Sequence, residues 1–271
     1  MFVIAIDNLE EDRESLARSL ASVLDMSLYD ALVRLRIPGT GPLVISSQRD
    51  EAAAKEISDK LEAAGFRTYM VNEDEIESDE KRAIVHKFSL AESAFKIETK
   101  TGKTVTTDYK IVYGIVRGIR IAQTTKTETT KERKLALGRA LMTGGLVVTK
   151  ASRTTLDLTA EEREGFFQLY TAGRQPILFL ESALIFDSTG LALQLTRTAN
   201  FANLLSEMKR RCAAAVYDER LVNKAAQYQL LGPTFDPPRH FDLAVTVLAR
   251  SLRSSQLRKN RPTSASFKAP K

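Results

Sequence analysis

The chain has 271 residues, of which 43% are hydrophobic and 27% charged, and 40 Lys+Arg against 34 Asp+Glu give a formal net charge of +6. This is the composition of a soluble globular protein with room for about two domains. Cys212 is the only cysteine, which excludes an intrachain disulfide, and the apolar segment 135–148 is interrupted by Arg139, Gly144 and Gly145 and is too short for a membrane-spanning helix.

Charge is unevenly distributed. Residues 1–80 hold 8 Lys/Arg against 18 Asp/Glu, residues 100–153 hold 12 against 3, and residues 250–271 hold 7 against none. An acidic head, a basic middle and a basic tail are the pattern of a protein that meets charged partners. The opening residues lack the basic start and longer apolar stretch of a signal peptide, so a cytoplasmic location is expected.

In chain order, residues 2–6 predict a buried strand. Leu16, Leu20, Val23 and Leu24 predict a helix from Arg13. Ser27-Leu28-Tyr29-Asp30 is a helix start, with Leu28, Ala31, Leu32 and Leu35 as the apolar face and Pro38-Gly39 as the stop. Residues 42–46 predict a second strand, 50–64 a helix closed by Gly65, and 66–71 a third strand. The stretch 25–35, together with 51–66, resembles the C-terminal domain of the bacterial ribosomal stalk protein, a fold shared with the ClpS adaptor. Leu28, Asp30 and Ala31 fit the stalk pattern. The stalk family's glycines stand here as Asp25 and Ser27, and lysines of its factor-binding helix as Tyr29 and Leu32. The resemblance therefore implies the fold and a different protein partner, or a structural role.

Residues 72–80, with six acids in nine positions, read as an exposed linker, or as a pseudo-ligand lying over the basic middle. From Ile84 the sequence alternates with period two: 84–90, 95–98 with a turn at Thr101-Gly102, 111–121, 146–149, 166–171, 177–181 and 184–187. A helix from Thr198 carries Phe201, Leu204, Leu205, Met208 and Cys212. This order of elements is similar to a pleckstrin-homology-like domain. Two more helices follow over 213–231 and 241–252, and the chain from Arg253 is expected to be disordered. The expected fold is α+β: a small α/β sandwich of the stalk-protein/ClpS kind over 1–71, an acidic linker over 72–83, an antiparallel β-rich pleckstrin-homology-like domain over 84–212, a helical extension over 213–252 and a basic tail over 253–271.

No catalytic set emerges. His86 and His240 are isolated, Cys212 has no base partner, and the glycine-rich 138–145 lacks the ending of a P-loop. No cofactor or metal is implied. The sharpest positive feature is a row of cations, Arg117, Arg120, Lys126, Lys131, Arg133, Lys134 and Arg139, interleaved with threonines that can bond phosphate oxygens. A solvated edge strand explains the same residues. The expected function is that of a non-enzymatic adaptor or scaffold binding a protein partner through head and β-rich domain, with anionic lipid or nucleic acid as the alternative partner of the basic middle and tail. Oligomerisation is compatible with both.

Overall fold

The computed structural model describes residues 1–7, 9, 13–36, 41–135, 149–187 and 190–259, with 121–135, 149–162 and 258–259 described along the backbone alone. The fold is of the α+β class. It divides into two compact units, Met1–Arg120 with Glu164–Lys271, and Ile121–Arg163.

The first unit opens with β1 (Phe2–Asp7), α1 (Arg13–Leu24), α2 (Leu28–Leu35), β2 (Leu43–Gln48), α3 (Glu51–Ala63) and β3 (Arg67–Asn72), in the order read from the sequence. The Ser27 hydroxyl accepts the Asp30 amide at 3.1 Å and starts α2. Asp50 does the same for α3 through the Ala53 amide at 2.9 Å. Such caps satisfy amides that the first helical turn leaves without partners. Gly65 leaves α3 at φ +93°, a backbone that disfavours any Cβ. β1 lies between β2 and β3, antiparallel to both. Period-two alternation gives this sheet two buried faces. Ile4, Ile6, Leu43 and Ile45 pack on α1–α3, while Val3, Ala5, Val44 and Val71 join a different core on the other side.

The larger sheet comprises β4 (Ala83–Leu90), β5 (Ala94–Thr99), β6 (Thr104–Asp108), β7 (Val112–Leu135), β8 (Thr149–Thr171), β9 (Ile177–Leu180) and β10 (Val216–Leu221), in the order β10-β7-β8-β9-β4-β5-β6. It is mixed, not antiparallel throughout: β10 runs parallel to β7, and β4 parallel to β9. Alternation marks a strand without fixing the direction of its neighbours. On one face Phe167, Leu169, Ile177 and Phe179 meet the apolar side of α4 (Arg197–Arg211), with Phe167 and Phe179 stacked at 4.5 Å. On the other, Phe166, Tyr170, Leu178 and Leu180 face α6 (Phe241–Lys259).

Up to Leu252, helix α6 is apolar on every side but the stripe of Asp242, Thr246 and Arg250, as a helix buried on several sides must be. Phe241, Val245, Leu248 and Leu252, with Leu243, Ala244 and Val247, share one core with Val3 and Val71 of the small sheet and Val116 of the large one. The helix thus lies between the two sheets. It also continues to Lys259, through residues expected to begin a disordered tail; 260–271 lie outside the described residues.

Three further expectations are corrected. The helix expected over 213–231 is β10 followed by α5 (Lys224–Leu231), because pairing with β7 claims 216–221 and Asn223 restarts the helix by accepting the Ala225 amide at 2.8 Å. Residues 184–187 are not a strand; the Ile185 amide bonds the His86 carbonyl at 2.9 Å beside β4. The stretch 72–83 is not a bare exposed linker. It folds as two 3-10 turns, Glu73–Glu75 and Asp79–Lys81, with Ile76 against the core and the Glu77 amide donating to Thr246 Oγ1 of α6 at 3.0 Å. Among the described residues no helix is long and apolar enough to cross a membrane.

Candidate functional site

Of the cations expected to hold phosphate, Arg117 and Arg120 lie on β7 within the first unit. Lys126, Lys131, Arg133 and Lys134 lie on the part of β7 that belongs to the second unit, where only the backbone is described. Arg139, the glycine-rich 138–145 and the expected strand residues 146–148 fall outside the described residues. Arg117 sits 3.6 Å from Glu219, both side chains being well exposed. Arg120 is already occupied. Its guanidinium grips Asp79 with two hydrogen bonds of 2.7 and 3.0 Å, a fork that holds the Asp79 carboxyl below the usual carboxylate range and raises Arg120 in turn.

Asp79 belongs to a wider cluster. Arg82, with a side chain only 1% exposed, donates to Asp242 at 2.6 Å and to Asp79 at 3.2 Å, and lies 3.8 Å from Glu77. Glu77 accepts from Gln168 at 2.5 Å and from the Tyr170 hydroxyl at 3.0 Å, and burial pushes its carboxyl above the usual range. These ions pin the acidic segment to the sheet and to α6. Arg82 is enclosed by protein at the centre of the cluster, while Asp79 and Asp242 keep part of their surface open to solvent.

The other chemical candidates are also absorbed locally. His86 sits at a bulge between Val85 and Lys87, and its Nδ1 lies 3.0 Å from the Ala183 carbonyl. His240 Nδ1 lies 3.1 Å from the Asp236 carbonyl, with its ring edge-on to Phe235. Burial pushes the Cys212 thiol up to about 12, so it is not a nucleophile at neutral pH. Among the described residues no group of His, Cys, Asp and Glu is arranged to hold a metal ion.

A site that the sequence reading passed over lies between α2 and α5. A groove of about 780 Å³ is lined by Met26, Val33, Leu43, Tyr228 and Pro233, with Asp30, Arg34 and Arg36 along it. Arg34 is fixed by a 2.8 Å bond to the Ile45 carbonyl. Gly232, at φ +68°, brings the end of α5 against β2; a Cβ there would stand 3.1 Å from the Val44 carbonyl. Around the groove Tyr29 is 72% exposed, Val33 47% and Tyr228 44%, and Leu28 is also exposed. One signal was present: α2 carries more apolar residues than its buried stripe of Ala31 and Leu35 uses. Clustered exposed apolar side chains beside a groove are a recognition feature. Compared with protein-family models, curated proteins and solved structures, the chain matches none.

Proposed function

We propose that this chain is a non-enzymatic cytoplasmic adaptor that seats an acidic amphipathic helix of a partner protein in the groove between α2 and α5. The observation that carries this is the pair Val33 and Tyr228, exposed on the walls of one groove, with exposed Tyr29 one helical turn before Val33 on α2. Apolar anchors at helical spacing fit such a groove, and Arg34 and Arg36 favour a partner with carboxylates beside its apolar face. The strand and helix order of residues 1–72, with β1 central, supports the stalk-like reading of the head. On that reading Tyr29 and Leu32 replace lysines of a factor-binding helix with an apolar face. The pleckstrin-homology-like reading of the larger sheet has only α4 in its favour, and the adaptor proposal does not depend on it.

Aromatic anchors at an interface cost about 2 kcal/mol or more each when truncated, a loss of about 30-fold in affinity. The full chain, immobilised in native extract, should retain a defined protein that Tyr29→Ala with Tyr228→Ala releases while leaving circular dichroism unchanged. Cross-linking from position 33 should map to an acidic amphipathic helix of that protein. Equal retention by both baits, or cross-links to a second copy of this chain or to a basic segment, refutes the proposal.

A further inference from the structure

A second concavity lies along the C-terminal half of α6. It encloses about 770 Å³, within the size range of small-molecule sites, between α6, the first 3-10 turn, the start of β7 and the end of β8. Helical periodicity brings Thr246, Arg250, Arg253 and Leu257 of α6 along one wall. Lys110, Ile111 and Tyr113 come from the entry to β7, and Arg174 from the turn after β8. Cations from three separate elements therefore surround one cavity.

The charges are not balanced. Lys110, Arg174, Arg250 and Arg253 line the cleft against two carboxylates, Glu75 and Glu77. Glu77 faces Gln168 and Tyr170 from below, and Glu75 pairs with Arg250 at 2.9 Å. Lys110, Arg174 and Arg253 have no ion pair among the described residues; Arg174 reaches only the Thr106 carbonyl, at 3.3 Å. Tyr113, Ile111 and Leu257 offer carbon surface beside them.

We propose that this cleft binds a small organic phosphate, its phosphoryl oxygens held by Arg253 and Lys110 and its organic body laid against Tyr113 and Leu257. Guanidinium and ammonium groups converging from different elements suit a dianion with several acceptor oxygens. Glu75 is then the resident competitor: while it neutralises Arg250, that cation is withheld from the ligand. This site shares no residue with the groove between α2 and α5 and stands or falls separately from it.

Titration calorimetry on the full chain, with adenosine 5′-monophosphate, glucose 6-phosphate, inorganic phosphate and citrate as probes, tests this. At least one ester is expected to bind below about 1 mM, more tightly than inorganic phosphate or citrate, and to weaken as salt is raised. Arg253→Ala and Lys110→Ala, both at exposed positions, are expected to weaken it by about tenfold each, and Glu75→Gln to tighten it by several-fold. No binding by either ester, citrate binding as tightly as the esters, or affinities indifferent to Arg253→Ala and Lys110→Ala would overturn the assignment.

Discussion

Arg82→Met isolates what the buried charge cluster contributes. Methionine preserves most of the side-chain length while leaving Asp242 and Glu77 without the guanidinium. Removing one member of a buried ion cluster costs about 3–5 kcal/mol, chiefly because the remaining charges stay buried and unpaired. Two features reduce that here. Arg82 Nε and Nη2 are buried without hydrogen-bond partners, so their removal with the guanidinium offsets part of that cost. Arg120 also remains on Asp79, at 2.7 Å. The net loss is about 2 kcal/mol, which at about 2–4 °C per kcal/mol lowers the melting temperature by about 4–8 °C. The companion variant Arg120→Met serves as the internal standard. Asp79 is 45% exposed and can be hydrated when Arg120 leaves, so that change should cost less than about 1 kcal/mol. Thermal melts and urea unfolding near neutral pH measure both. A melting temperature for Arg82→Met that is unchanged or raised, or a larger loss for Arg120→Met, would refute the reasoning.

The pH dependence of the same variant has a definite sign. Burial raises the folded-state value of Glu77 above its unfolded one, so the folded protein gains relative stability when Glu77 is protonated. Stability from this group is therefore lost as pH rises from the ordinary carboxylate range through the raised value, and Arg82→Met should steepen that loss, because Arg82 is one of the groups holding Glu77 down. Asp7 behaves alike: burial outweighs Tyr69, Arg67 and Ser251, and Asp7→Asn should flatten the stability profile across that window in urea titrations at stepped pH. Gly118→Val should destabilise by about 1–3 kcal/mol by urea unfolding, since even a Cβ would stand 2.5 Å from the Phe166 ring and 2.7 Å from Leu221 Cβ. The Cys212 thiol should react with a disulfide reagent at mildly alkaline pH only at the rate of unfolding, and at once in denaturant; immediate reaction in the native protein would contradict its burial.

What the sequence disclosed follows from where local signals suffice. The head was legible element by element, because Ser27 and Asp50 are caps and Gly65 is a stop whatever surrounds them. Residues 241–252 read as a helix, yet nothing in the sequence says that two sheets will enclose it. β10 was misread because 216–221 becomes a strand only by pairing with Gly114 to Gly118, about a hundred residues earlier. The acidic stretch looked solvated for a similar reason: Arg82 lies nearby in sequence, but Arg120 and Thr246 arrive from far along the chain. Charge segregation was real in sequence and is partly cancelled in space, since Asp79 holds Arg120 and Glu75 holds Arg250. Both concavities are assembled from residues distant in sequence, Val33 with Tyr228 and Lys110 with Arg253, and such meetings leave no local trace.

Asp7 on β1 receives a hydrogen bond from Ser251 on α6, 244 residues later. During synthesis at about 5–20 residues per second, about 12–50 s separate the emergence of those two residues from the ribosome. Throughout that interval the nascent small sheet has helices on one side while Val3, Ala5 and Val71 on the other await α6. A half-clad sheet of this kind leaves apolar surface open while the chain is being made, and the rate of translation across the intervening message sets how long it stays so.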